Sequence, residues 1–258
     1  MMFGHFLYKF GNSDYITSVA TGDKDKGDDV HTKTQYLIGL PSRNKAKTFS
    51  YCTLYGGGSL KIGKSIYSSD MDIQYTTAEY INHQNRLKKK ILPNGLFPFD
   101  KNNLVKYSDE FVKMSILGEQ LKNKFLSGTE GFIELMASLD SQYVNNKGYI
   151  QSLDDRYIFC ESKHKVLNSL LQSSGAIFMK YYLVEVYNLL SKDYRLDIDY
   201  SFICNIHDAI VIRTTLDKQE EIGVRMEQAF TNVSNKFGFL HAVKGKAILG
   251  YNLYDIFI

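Results

Sequence analysis

Apolar positions along the chain change period several times, and each change marks an element. The first ten residues, through Phe10, are densely apolar and predict a buried helix or strand end, followed by polar punctuation from Gly11 to Asp29 that contains the charged run Asp23-Lys24-Asp25-Lys26. Order resumes at Val30-His31-Thr32. Pro41 and Ser42 are helix-start signals, and Gly56-Gly57-Gly58 ends the helix that they open. Residues 65–115 lose periodicity and read as an inserted subdomain or a long loop. Helical spacing returns at 117–125 and 132–136, and one long helix is predicted over Lys163–Leu190 with only Gly175 inside it. Two runs of strand-forming residues, 200–206 and 209–214, flank His207-Asp208 and predict a β-hairpin with an aspartate at its tip. An amphipathic helix over about 218–237 and a short terminal segment complete the pattern. Helices mixed with an antiparallel hairpin make the class α+β.

Within the helix after Ser42, Arg43, Lys47, Tyr51 and Tyr55 recur every fourth residue. Four residues advance a helix by roughly 400°, so these side chains form one slowly drifting stripe about 18 Å long. Two cations followed by two phenols suit a helix that holds a triphosphate at one end and a sugar and base at the other. A solvated basic face with two tyrosines on its shoulder has the same spacing.

The 258 residues allow one large or two small domains, and 44% hydrophobic residues suffice for a core. Lys and Arg number 31 against 28 Asp and Glu, a net charge of +3, so contact with nucleic acid has to come from local clusters. Cys52, Cys160 and Cys204 stand far apart, which argues against a zinc site or disulfide framework and fits a reducing compartment. No segment has the length of a membrane span or the flanks of a signal peptide. The expected location is cytoplasmic, in a host cell if the protein is viral.

Four segments, in this order, resemble family A (DNA polymerase I-like) DNA polymerases, particularly those of bacteriophages. Gly27-Asp28-Asp29-Val30-His31-Thr32 is similar to a D-[IV]-H-T element, and Arg43 to Gly56 to the R-x3-K-x3-Y-x3-Y-G fingers helix, extended by Lys61-Ile62-Gly63. Gly148 to Arg156, leading into Asn168-x3-Gln172-Ser173, resembles the palm helix with an N-x3-Q-[GS] pattern, whose amides can meet minor-groove acceptors. His207-Asp208 resembles a metal-binding H-D-E hairpin, with Ala209 where glutamate is usual.

The resemblance implies residues 1–25 as part of the palm, 26–150 as fingers with an insertion at 65–115, and 151–258 as the rest of the palm. It implies that His31, Arg43 and Lys47 hold dNTP phosphates, that Lys47 also protonates the leaving pyrophosphate, and that Tyr51 and Tyr55 contact the sugar and the templating side. Asn168, Gln172 and His207 would support the primer–template DNA, and Asp208 would bind Mg²⁺. The family's other aspartate lies in a D-[YA]-S-x-x-E-L-R motif just before the segment that Phe3-Gly4-His5-Phe6 resembles. The expectation is therefore the C-terminal subunit of a split DNA polymerase, inactive alone, whose partner polypeptide carries the thumb, any exonuclease and that aspartate. Asp199-Tyr200-Ser201 mimics the motif, but lies roughly 30 Å from Asp208 along an extended strand at ~3.3 Å per residue. Two other readings stay open: a non-catalytic DNA-binding accessory protein derived from a polymerase, and a P-loop NTPase, because Gly58 to Ser65 satisfies G-x4-G-K-S.

Overall fold

The computed structural model describes residues 1–69, 71–100, 103–206 and 208–251. In chain order the elements are α1 (Met2–Tyr8), α2 (Ser13–Thr21), α3 (Val30–Ile38), α4 (Arg43–Leu54), α5 (Ser59–Ile66), α6 (Thr77–Lys88), β1 (Leu96–Asp100), β2 (Asn103–Lys106) and α7 (Asp109–Gly128). There follow α8 (Phe132–Asn145), β3 (Tyr149–Gln151), β4 (Tyr157–Phe159), α9 (Val166–Leu190), β5 (Tyr200–Ile206), β6 (Ala209–Thr214) and α10 (Gln219–Lys236). The α+β class holds, and among the described residues the strands pair as three antiparallel two-stranded ladders rather than one wider sheet. No helix among the described residues is long and apolar enough to cross a membrane.

The chain divides into two compact units, one comprising 22–139 with 162–168, the other 1–21, 140–161 and 169–258. In the first, α4 buries Ala46, Phe49, Ser50 and Thr53, the i, i+3, i+4, i+7 positions of one face. Ser42 caps its N-terminus, its hydroxyl accepting from the Lys45 amide at 3.3 Å. Pro41 stands outside that cap, not in the first turn. Gly56, at φ +78°, provides the left-handed residue that turns the chain after the helix.

Residues 65–115 are not an irregular loop. The described residues between Tyr67 and Thr76 form no helix or strand, but α6 then starts at a capping box in which Thr76 and Glu79 satisfy each other's backbone amides. The β1–β2 ladder follows, and Leu87, Phe97, Phe111, Val112 and Ile116 close a small core. The apolar positions that look scattered in the sequence come from three elements and converge only in space. His83 Nδ1 to Ser115 Oγ at 2.8 Å and Arg86 to Glu119 at 2.9 Å pin α6 to α7. The P-loop reading fails here as well. Its glycine-rich span is helix α5, which follows helix α4 instead of a strand, and Lys64 Nζ lies 4.0 Å from the centroid of the Phe99 ring.

In the second unit, Tyr182, Val186, Leu190, Tyr200, Ile222 and Ala229 bring α9, β5 and α10 round one core. The polar stretch after Gly11 contains a helix the sequence pattern hid. In α2 the Thr17, Ser18 and Thr21 hydroxyls each donate to the carbonyl four residues earlier, and Asn12 Oδ1 accepts from the Tyr15 amide, so polar residues are satisfied within the helix while Ile16 is fully buried. Antiparallel pairing of Ile206 with Ala209 places Asp208 at the β5–β6 turn. Cys52, Cys160 and Cys204 are free thiols.

Candidate functional site

The face of α4 opposite its buried residues carries the period-four stripe. Lys47, Tyr51 and Tyr55 are exposed and Arg43 is half-buried. The four side chains are therefore presented outward by a helix anchored on its other side. Lys47 Nζ lies 5.9 Å from the Tyr51 ring centroid, within reach of a weak cation–π contact, and the Tyr51 and Tyr55 rings are 6.4 Å apart.

Helix α3 brings His31 to this face, its ring edge-on to Tyr51 with centroids 5.7 Å apart. Burial, then the positive charge of Arg43, lowers the His31 pKa below the ordinary histidine value, so the imidazole is neutral at pH 7. Its Nδ1 is buried without a hydrogen-bond partner among the described residues. A neutral ring can donate from one nitrogen and accept at the other, whichever tautomer a ligand selects.

Arg43 is organised by the aspartate of the segment that resembles D-[IV]-H-T, a residue to which sequence reasoning gave no role. Asp29, the N-cap of α3, accepts from the His31 amide at 3.0 Å and from the Thr32 hydroxyl, and its carboxylate also takes Arg43 Nε at 3.1 and 3.0 Å and Nη2 at 2.9 Å. Burial alone would raise the Asp29 carboxyl. Hydrogen bonds from Arg43, Thr32 and the His31 amide, with the Arg43 charge, instead hold it well below the usual carboxylate range. An aspartate directly before an apolar helical run was a legible cap signal, but the cap said nothing of a partner fourteen residues on.

Asn168 belongs to the same unit. Its Oδ1 is buried with no hydrogen-bond partner among the described residues, and its Cβ lies beside Gly56, where α4 ends. Gln172 is exposed, one turn further along α9, and belongs to the other unit. So does Asp208, exposed at the β5–β6 turn beside exposed Ala209. His207 lies outside the described residues.

One carboxylate does not hold Mg²⁺, which favours several oxygen ligands. Among the described residues no group of three or more His, Cys, Asp and Glu is placed to hold an ion. Asp199 does not repair this. It begins the hairpin at the end opposite Asp208, accepts from the Arg195 amide at 2.7 Å and pairs with Lys218 at 2.9 Å, contacts that lower its pKa to about 2.

No protein-family model matches the chain. It is 25% identical over 227 residues to the DNA-directed DNA polymerase of Escherichia phage T7, covering 87% of this chain and 27% of that protein. With the DNA-directed DNA polymerase of Enterobacteria phage T3 it shares 27% identity over 211 residues, 81% of this chain and 25% of the relative. DNA polymerase gamma of Schizosaccharomyces pombe is 29% identical over 203 residues, 73% of this chain and 18% of that protein. The chain thus spans about a quarter of the length of the phage relatives it matches. Among solved structures, the POL domain of Pol1 from M. smegmatis, in complex with DNA primer-template and dNTP, superposes with a TM-score of 0.56 at 14% identity, over 90% of this chain and 34% of that one. Over more than four-fifths of its length the chain is therefore a homologue of the phage T7 and T3 DNA-directed DNA polymerases, and it has the fold of a polymerase domain.

Proposed function

We propose that this chain forms the fingers and the later part of the palm of a family A DNA polymerase, which transfers a nucleotide from dNTP to a primer 3′-hydroxyl under the direction of a template. The observation that carries the reading is the outward stripe of Arg43, Lys47, Tyr51 and Tyr55 on α4, with His31 packed edge-on against Tyr51. Arg43 and Lys47 oppose the negative charge of the phosphates, and charge aimed at a transferring phosphoryl group is the main way a protein accelerates that reaction. Lys47, exposed on the same stripe, also delivers a proton to the leaving pyrophosphate. His31 adds a neutral donor to the phosphates. Tyr51 bears on the sugar and Tyr55 on the templating side, while Asn168, Gln172 and His207 support the primer–template end through minor-groove contacts that sense pairing without reading sequence.

Asp208 contributes one carboxylate to Mg²⁺, and the other comes from outside residues 1–258. When bound, the metal supplies charge stabilisation at the reacting oxygens. In the finer form of the proposal, a separate polypeptide bears that carboxylate with the thumb and any exonuclease, and residues 1–258 are inactive alone. The lone carboxylate at the hairpin tip, beside Ala209, favours a second reading, a DNA-binding accessory protein without catalysis.

Primer extension in Mg²⁺ and in Mn²⁺ tests the proposal, using the 258-residue chain alone and combined with a polypeptide bearing a D-[YA]-S-x-x-E segment. The expected result is extension only in the combination. Robust extension by the isolated chain removes the two-chain arrangement. An assembly that binds primer–template but never extends it leaves the accessory role in place of the enzyme.

A further inference from the structure

We propose that Asp29 is a positioning residue for nucleotide incorporation, holding the Arg43 guanidinium so that one edge stays free for a phosphate; the inference rests on the triphosphate reading of the α4 stripe. Capping α3 needs only one acceptor, which serine or threonine supplies as well as a carboxylate does. Asp29 goes further. Its carboxylate takes Nε and Nη2 of Arg43, the side edge of the guanidinium, and fixes the plane of the fork. Nη1 has no acceptor among the described residues, so the end edge, Nη1 with the remaining Nη2 hydrogen, stays open to an anion. The Asp29 side chain is 8% exposed against 34% for Arg43, so the buried partner orients the more accessible one.

The same carboxylate ties the N-termini of α3 and α4 together, because its other contacts are to the His31 amide and the Thr32 hydroxyl. His31 and Arg43, two of the residues assigned to the phosphates, thus hang from one acid. An arginine held in its working rotamer loses less freedom when a phosphate arrives than a free one does.

Two physical effects of removing the acid have opposite signs, which makes the role measurable. Electrostatics alone predicts that loss of a negative charge beside Arg43 tightens binding of a triphosphate. Positioning predicts slower incorporation, since a misplaced charge no longer meets the phosphates in the transition state. Asp29→Asn separates the two from folding, because asparagine is as good an N-cap as aspartate: its carbonyl oxygen can still accept from the His31 amide, and the Thr32 hydroxyl, which donates to the other carboxylate oxygen in the parent, can turn to accept from the new NH2.

The experiment is single-turnover incorporation by the assembled enzyme, with Asp29→Asn made in the parent and in an Arg43→Ala background, and Lys47→Ala alongside. Expected is a rate loss on the order of 10-fold for Asp29→Asn in the parent, an apparent dNTP affinity within about 3-fold of the parent or tighter, and no further loss in the Arg43→Ala background. Thermal melting of each variant checks that the fold persists. If Asp29→Asn incorporates at the parent rate while Arg43→Ala and Lys47→Ala are slowed, the positioning role is wrong and the triphosphate reading stands. Equal losses with and without Arg43 also overturn it, since Asp29 would then act by another route. If Arg43→Ala and Lys47→Ala both incorporate normally, the triphosphate reading itself fails and takes the positioning role with it.

Discussion

Lys47 and Tyr51 lie on the exposed face of α4, where a side chain contributes little to folding, so substitutions there separate chemistry from stability. Lys47→Ala is expected to slow nucleotide incorporation on the order of 10²-fold by removing a charge aimed at the phosphates, while changing stability by no more than ~0.5 kcal/mol. Single-turnover kinetics and denaturant melts on one preparation decide it, and normal incorporation would reduce the stripe to a solvated face. The family resemblance adds that Tyr51→Phe raises discrimination against dideoxynucleotides, read as the ratio of terminated to extended products. A buried histidine makes a different demand. His5 is stacked on Phe239 with ring centroids 4.1 Å apart, and burial, then the charge of Lys9, lowers its pKa to about 4. The unfolded chain binds that proton near pH 6.5, so His5 contributes full stability above that value and loses it as pH falls toward 4. His31 and His83, also lowered chiefly by burial, push in the same direction. Unfolding free energy should drop between pH 7.5 and 5, with a shallower slope in His5→Gln; identical slopes would exclude His5 as a contributor.

At the scale of elements, α5 and α7 meet through glycines. A Cβ on Gly63 would run into the Met114 carbonyl, and one on Gly118 into the Ser59 carbonyl, so backbone and not side chain forms the contact. Because no side-chain motion relieves a clash with backbone, Gly63→Ala should cost at least 2 to 3 kcal/mol, in the range of a severe overpacking. The Ser42 cap is a milder case: Ser42→Ala should cost about 1 kcal/mol and leave the register of α4 unchanged. Chemical denaturation measures both, and a neutral Gly63→Ala would mean that the helices can separate. The resemblance had placed Lys61-Ile62-Gly63 beside the fingers helix, but the need for glycine comes from α7, which is fifty residues away in sequence.

For the whole molecule, the expected division of labour turns on Asp208. In an active assembly, Asp208→Asn should lower extension by several orders of magnitude through loss of an anionic ligand to a hard cation, with primer–template affinity nearly unchanged, because an exposed hairpin tip accepts an isosteric amide. Retention of parental extension would remove Asp208 from the metal assignment. Among the described residues no group of three or more metal-ligating side chains is found, so on the proposed reading the other ligands come from elsewhere.

Local signals made much of this legible from the residues alone. The Ser42 cap, the period-four stripe, the glycines after Tyr55, the length of α9 and the alternation flanking Asp208 each depend on neighbours within about four positions, and each appears close to where its pattern placed it. Tertiary structure decided the remainder, because those outcomes depend on partners that no local period encodes. Ile16 makes α2 a helix by burying against α1, where Gly4 admits it, although the surrounding residues are polar. The small core of Leu87, Phe97 and Phe111 gathers side chains from α6, β1 and α7 that are only weakly patterned one by one. Arg43 is a cation on a stripe in the sequence and half of a buried-carboxylate pair in the fold, because the turn between α3 and α4 returns it to Asp29. A single sequence carries the donors, but which acceptor each donor meets is settled only when distant segments close on one another.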